Sequence, residues 1–296
     1  MRLFKRIILI ISIPIIIGLM NFAVDPLQFY HQNTVFEPAF SEDMRYQAAG
    51  LIKNFDYDTI ILGTTASSNF SLKELLDDYK ISAIRLTLDN ASVYEQKKLM
   101  EFAIKRGSVR RVIWEMDYFA LSLPSGYITL PNYLYDNNPF NDYNYLLNPM
   151  ITLKSFGIIR EHKLYDAEDA YNALNNLATS HKTVASDMAK TDDIGKNIDY
   201  ILGFALDNSN VEFLCYFPPI LSEGFSASER QLEMRDYIYS HYSKGYNIKI
   251  YDFSAMEEKL SSSEILHWVL TKNAITRGEF ETNQEILFVN ATGKLP

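Results

Sequence analysis

Short apolar segments alternate with helix-start signals over the first half of the chain. Thr59 to Thr64 is an apolar run that ends in a turn signal, which predicts a strand buried on both faces. Ile81 to Leu88 and Val109 to Met116 predict two further strands. Between the strands, Ser71 and Ser92 each precede a glutamate by three residues, and this capping-box spacing predicts two helix starts. Strands separated by single helices indicate right-handed crossovers and a parallel sheet.

The alternation breaks after the third predicted strand. The stretch from about residue 118 to 150 is rich in Tyr, Asn, Asp and Pro, which predicts a long excursion from the sheet. The later predicted elements are helices at about Ala167 to Leu177, at Ile194 to Leu206 and after Ser226, and strands at Val211 to Phe217 and Asn247 to Phe253. The whole pattern predicts one α/β domain.

The chain begins with a segment of a different kind. Ile7 to Val24 is nearly all apolar and free of charge, and it follows a basic start that contains Arg2, Lys5 and Arg6. About 18 residues of helix span roughly 27 Å, close to the thickness of the bilayer hydrocarbon core. This pattern predicts a transmembrane anchor in the lipid bilayer. The positive-inside rule then places the N-terminus in the cytoplasm and the rest of the chain outside it.

A cleaved signal peptide is the alternative to an anchor. No clear small-x-small cleavage site follows the apolar segment, so an uncleaved anchor is favoured. The expected layout is a basic start and anchor at residues 1–25, a juxtamembrane segment at 26–54 and an α/β domain at 55–296.

Composition and charge narrow the function. The 296 residues are 47% hydrophobic, which is enough for one large core. A net charge of -9 excludes a general attraction for nucleic acid. A single cysteine, Cys215, excludes an intrachain disulfide and zinc sites built on thiolate pairs. No phosphate-binding loop, dinucleotide fingerprint or HExxH pair is present, so no cofactor or metal is expected.

Ligands of open parallel sheets bind at the carboxyl ends of the strands. The first strand ends in the sequence Gly63-Thr-Thr-Ala-Ser67, followed by Ser68. Hydroxyl side chains beside backbone N–H groups supply candidate nucleophiles and a place for an oxyanion. The alternative is a turn whose hydroxyl groups only cap the next helix.

Four stretches of the chain resemble one enzyme family. They are Tyr57 to Thr64, Tyr133 to Pro139, Phe217 to Pro219 and Glu264 to His267. In content and order they are similar to the SGNH (GDSL-type) hydrolase superfamily, in particular its membrane-anchored cell-envelope branch. The resemblance extends over most of residues 26–280.

This resemblance implies a flavodoxin-like parallel sheet flanked by helices and a triad that hydrolyses esters or transfers acyl groups. By position, Thr65 is the implied nucleophile, His267 the base and Glu264 the orienting acid. Gly63 and Asn90 are implied at the oxyanion site, together with Asp117 after the third strand. The implied substrates are acyl groups on a cell-envelope polysaccharide.

Several of these positions depart from the family pattern. Thr65 stands where the family has Ser, Glu264 replaces Asp, Asn90 replaces Gly and Asp117 replaces Asn. The extra methyl group of Thr65 restricts its side chain and crowds the path of attack. The departures leave a catalytically inactive relative, which binds glycan or a partner protein, as the second hypothesis.

Each implied role also has a structural alternative. Thr65 can serve as a helix cap, and Ser67 or Ser68 can replace it as nucleophile. His267 can be a structural histidine, and Glu264 can be its ordinary neighbour on a helix. The aromatic and amide side chains at residues 118–145 suit glycan binding, but they also suit packing over a sheet edge.

Overall fold

A computed structural model describes residues 2–41, 43–64, 67–161, 163–166, 173–174, 194–218, 229–242, 247–253 and 262–275. The chain divides into two compact units. The helical unit comprises Met1–Asp56 and Thr129–Ala178, and the sheet unit comprises Tyr57–Ile128 and Thr179–Pro296. Part of the predicted excursion, from Thr129 onward, therefore belongs to the helical unit.

The sheet unit contains a five-stranded parallel sheet. The strands are β1 (Thr59–Leu62), β2 (Ala83–Arg85), β3 (Arg111–Glu115), β4 (Glu212–Phe217) and β5 (Ile248–Asp252). Their spatial order is β2-β1-β3-β4-β5, and every neighbouring pair is parallel. The α/β class with a parallel sheet and flanking helices is thus confirmed.

The helices of both units are numbered here in chain order. They are α1 (Arg2–Val24), α2 (Met44–Asn54), α3 (Leu72–Tyr79), α4 (Val93–Lys105), α5 (Tyr118–Ser122), α6 (Tyr143–Leu146), α7 (Pro149–Glu161), α8 (Ile194–Asp207), α9 (Glu229–Tyr242) and α10 (Ser262–Ile275). Most of the predicted helix at 167–177 lies outside the described residues. The helix predicted after Ser226 is described from Glu229 onward.

Local sequence signals position the helices of the first two βα units. The Ser71 side chain accepts a hydrogen bond from the Glu74 backbone N–H at 3.2 Å and caps α3. Ser92 and Glu95 form a complete capping box at the start of α4. These caps satisfy backbone donors that a helix leaves without an intrahelical partner, so both helices start where the sequence predicts.

The core of the sheet unit lies around β1, β3 and β4. Their aliphatic side chains, including those of Ile60, Ile61 and Val112, are fully buried. Leu62 of β1 pairs in register with Trp114 of β3. The carboxyl ends of these central strands therefore meet at one edge of the sheet.

The helical unit is held together by buried polar side chains. Asp25 accepts hydrogen bonds from the backbone N–H groups of Phe29, Tyr30 and His31 and from the Tyr145 hydroxyl, the last at 2.6 Å. This network joins the segment after α1 to α6. Among the residues that the structure describes, no helix is both long and apolar enough to span a membrane.

Candidate functional site

The turn after β1 begins with Gly63, and any other residue at this position would be strained. Gly63 has a φ of +146°, a conformation that L-residues with a side chain rarely adopt. A Cβ atom at this position would lie 2.5 Å from the Cβ atom of Glu115 and 2.5 Å from the Ser67 Oγ atom. The turn can therefore lie against the end of β3 only because residue 63 is a glycine.

Glu115, the last residue of β3, holds this turn through its backbone donors. Its Oε2 atom accepts hydrogen bonds from the backbone N–H groups of Thr64 at 3.1 Å and Ser67 at 2.8 Å. Its Oε1 atom accepts a hydrogen bond from the Thr64 hydroxyl at 2.9 Å. The carboxylate is buried, so it replaces the water that would otherwise satisfy these donors.

Arg85, the last residue of β2, holds the same turn through its carbonyl groups. Its Nη1 atom donates hydrogen bonds to the backbone oxygens of Ser68 at 2.6 Å and Phe70 at 3.0 Å. The side chain is buried, and burial lowers the pKa of Arg85. The two strands that flank β1 thus fix its turn from two directions, an arrangement that we call the turn clamp.

Asp117 joins the cluster beside Glu115. The Thr64 hydroxyl lies 2.9 Å from Glu115 Oε1 and 3.2 Å from Asp117 Oδ2. One hydroxyl proton serves one acceptor at a time, so both contacts are hydrogen bonds together only when one carboxyl group is protonated. Asp117 also caps α5 by accepting the Phe119 N–H at 3.0 Å.

Burial favours the protonated form of both acids. The pKa of Glu115 is raised by burial first and by the charge of Asp117 second, against hydrogen bonds from Ser67 and Thr64 that lower it. The pKa of Asp117 is raised by burial as well. Two coupled acids with raised pKa values at the carboxyl ends of strands are typical of functional sites, although structural clusters produce them too.

Some of the predicted site residues lie together at this edge. Gly63 and Asp117 both belong to the cluster around Thr64. Asn90 lies in the turn after β2 with a φ of +52°, and two residues earlier Leu88 N donates a hydrogen bond to Gly63 O. Thr65, the implied nucleophile, lies outside the described residues.

The two remaining predicted residues lie on α10. The ring of His267 is exposed, and its Nδ1 atom lies 2.8 Å from the hydroxyl oxygen of Tyr79, the last residue of α3. One turn earlier, the Ser263 hydroxyl donates to Glu74 Oε2 at 2.7 Å. Glu264 is exposed. These contacts place the start of α10 alongside α3.

The alternative nucleophile Ser67 has a structural contact. It is fully buried, and its hydroxyl donates a hydrogen bond to the Thr64 carbonyl oxygen at 3.2 Å. This hydrogen bond closes the turn on itself. Ser68, the other alternative, is buried as well.

Sequence reasoning missed Glu115 and Arg85, the two residues that hold the turn. One signal was present for each, because each is a charged residue with an apolar residue on either side in a predicted strand. A charge is costly in a strand buried on both faces unless it is paired or hydrogen-bonded, so such a residue points to a specific polar partner.

No protein-family model matches the chain, and no significant match was found among curated proteins or solved structures. Within the described ranges, no group of three or more His, Cys, Asp and Glu side chains is arranged to hold a metal ion.

Proposed function

We propose that this chain is a membrane-anchored, extracytoplasmic esterase or O-acyltransferase of the SGNH type, acting on acyl groups of a cell-envelope glycan. The active site is the turn after β1. The anchor is the apolar segment Ile7 to Val24, which carries the rest of the chain outside the cytoplasm.

The turn clamp is the observation that carries this proposal. It holds Thr64, Ser67, Ser68 and Phe70 of a hydroxyl-rich segment at the carboxyl edge of a parallel sheet. The strand order β2-β1-β3-β4-β5 is that of flavodoxin-like sheets, in which ligands bind where the order reverses, between β1 and β3. Gly63, Thr64 and Ser67 follow β1, Glu115 ends β3 and Asp117 follows it, so these residues lie at this position.

In the proposed chemistry the Thr65 hydroxyl attacks the acyl carbon and His267 accepts its proton. The ester C–O bond then breaks, and the leaving glycan hydroxyl takes that proton from His267. Water, or the hydroxyl group of an acceptor, attacks the acyl-threonine in the same way and releases the acyl group from Thr65. Glu264 orients the imidazole ring. The N–H groups of Thr64 and Ser67 already bind Glu115, so the oxyanion is stabilised by other amides of the site, with Asn90 as the expected donor. Asp117 completes the polar edge next to Thr64.

The test is hydrolysis of p-nitrophenyl acetate and of an O-acetylated glycan by the detergent-solubilised full chain. Thr65→Ala and His267→Ala are expected to abolish hydrolysis, and Thr65→Ser is expected to increase it. His241→Ala is the matched control, because His241 is also exposed on a helix and hydrogen-bonded through Nδ1. Absence of activity in both the native chain and Thr65→Ser would contradict the proposal.

A specific contact favours a second candidate, a catalytically inactive relative that binds glycan. His267 contacts Tyr79 at the end of α3, and α3 is eight residues long. Eight helical residues rise by roughly 11 Å, and α3 begins just after the turn, so Tyr79 lies far along the helix from the site. Glycan-dependent thermal stabilisation that persists in Thr65→Ala, with no hydrolysis by any variant, would support this candidate.

A further inference from the structure

A strip of apolar side chains lies exposed along the outer face of α7. Met150, Leu153 and Phe156 follow one another at three-residue spacing and are 64%, 66% and 55% exposed. The inner face of the same helix is buried through Ile151 and Ile158. The helix is therefore apolar on two faces, and packing inside the helical unit accounts for only one of them.

The exposed surface continues toward the N-terminal side of α7. We define the apolar strip as Phe140, Tyr143, Leu147, Met150, Leu153 and Phe156, which recur every three or four residues. Phe140 is 88% exposed, the most of any large hydrophobic residue among those described. Exposed apolar side chains that are neighbours on one helix, as Met150, Leu153 and Phe156 are on α7, are a feature of interaction sites.

The strip lies next to the proposed anchor. Asn21 of α1 donates hydrogen bonds from Nδ2 to the Leu146 carbonyl oxygen at 2.7 Å and to Thr152 Oγ1 at 2.8 Å. At Gly18 an added Cβ would lie 3.8 Å from the Leu147 side chain. The segment from α6 to α7 therefore packs directly on the C-terminal part of α1, within one helix diameter of the exposed apolar side chains of α1.

The charge of this segment also differs from that of the chain. Between Phe140 and Glu161 the basic residues Lys154 and Arg160, both on α7, balance the acidic residues Asp142 and Glu161, whereas the chain carries a net charge of -9. Basic residues beside an apolar helix face are typical of helices that lie in the headgroup region of an anionic bilayer.

We propose that the apolar strip is a second membrane-contact surface. α6 and α7 lie in the interfacial region of the bilayer beside α1, with the strip toward the acyl chains and the basic side chains toward the headgroups. This inference rests on the proposed anchoring through α1, but it does not depend on catalysis.

The test uses the full chain in vesicles of phosphatidylcholine and phosphatidylglycerol that contain nitroxide-labelled lipid. A fluorophore is attached to a single introduced cysteine in Ile13→Cys, Leu153→Cys or Leu76→Cys. Leu76 is the matched control, since it is a leucine on a helix of the sheet unit and 40% exposed. The native Cys215 is fully buried and burial raises the pKa of its thiol, so it is not labelled in the folded chain.

Strong quenching at positions 13 and 153, with little at position 76, is the expected result. Quenching at position 13 alone would overturn the membrane contact of the strip and leave the anchor intact. No quenching at position 13 would overturn the anchor and the strip together. Equal quenching at positions 76 and 153 would indicate unspecific adhesion and would also overturn the proposal.

One further outcome separates lipid from a protein partner. A label at position 153 that stays bright in purified vesicles, but is shielded from aqueous iodide in native membranes, would mean that the strip binds another membrane protein. That result would replace the bilayer as the occupant of this surface.

Discussion

Two successive βα turns of the sheet unit satisfy their backbone donors in different ways. In the turn before α4, Ser92 and Glu95 exchange hydrogen bonds at 3.2 Å within four residues of sequence. In the turn before α3, the donors of Thr64 and Ser67 reach Glu115, which lies 51 and 48 residues further along the chain. The backbone donors of one turn are satisfied within its own sequence, whereas those of the other are satisfied by a residue of a neighbouring strand.

The comparison shows how each turn depends on the rest of the fold. The turn before α4 can form as soon as its own residues are ordered. In the turn before α3, the N–H groups of Thr64 and Ser67 can bind Glu115 only when β3 lies beside β1. The conformation of this turn therefore depends on the assembled sheet. A site built on that turn depends on both flanking strands, because each supplies hydrogen-bond partners to the turn.

The largest expected effect is that of Gly63→Ala. Close contacts with Glu115 and Ser67 and the unfavourable φ are expected to lower the free energy of unfolding by about 4 kcal/mol. The measurement is urea unfolding followed by tryptophan fluorescence, which reports on buried Trp114. Gly107→Ala is the control, since Gly107 also has a positive φ but open space around it, and about 1 kcal/mol is expected there.

Removing the carboxylate of the turn clamp is expected to have the next largest effect. Glu115→Ala leaves two buried backbone donors without their acceptor and the Thr64 hydroxyl with Asp117 alone, and a loss of about 3 kcal/mol is expected in the same unfolding measurement. A cost no larger than that of removing the Ser92 cap would contradict the distinction between the two turns.

A substitution in the turn before α4 is expected to lower the free energy of unfolding by less. Ser92→Ala removes one side of a capping box and the hydrogen bond that the Ser92 hydroxyl donates to the Tyr127 carbonyl oxygen, and a loss of about 2 kcal/mol is expected. Ser92→Thr keeps the hydroxyl group and serves as its control. Hydrogen exchange can sharpen the result, because the faster exchange in Ser92→Ala should be confined to the start of α4 and the backbone next to Tyr127.

The smallest expected effect is a change in pH dependence. Burial raises the pKa of Glu115 in the folded chain, so the folded state binds this proton more tightly than the unfolded state does. The free energy of unfolding should therefore decrease as the pH rises from the ordinary pKa of a glutamate to the raised value, and level off above it. Glu115→Gln should flatten this decrease in urea unfolding at a series of pH values; an unchanged slope would assign the proton elsewhere.

Much of the fold was predictable because its signals are local. The strands at β1 and β3 and the caps at Ser71 and Ser92 follow from patterns that extend over a few residues. The positions of Gly63 and Asp117 at the strand ends could also be predicted from the sequence. The turn clamp was not, because Arg85 and Glu115 find their partners through the order of strands in the sheet, which no local pattern contains.

The side chain of Asn21 fixes the orientation of α1 about its own axis, which hydrophobic length alone does not do. Its two hydrogen bonds attach one side of a largely apolar helix to α6 and α7 of the helical unit. Turning α1 about its own axis would break both bonds, so the helix has a preferred rotational setting. An unrelated helix of equal hydrophobicity in place of α1 would lack this fixed orientation on the helical unit.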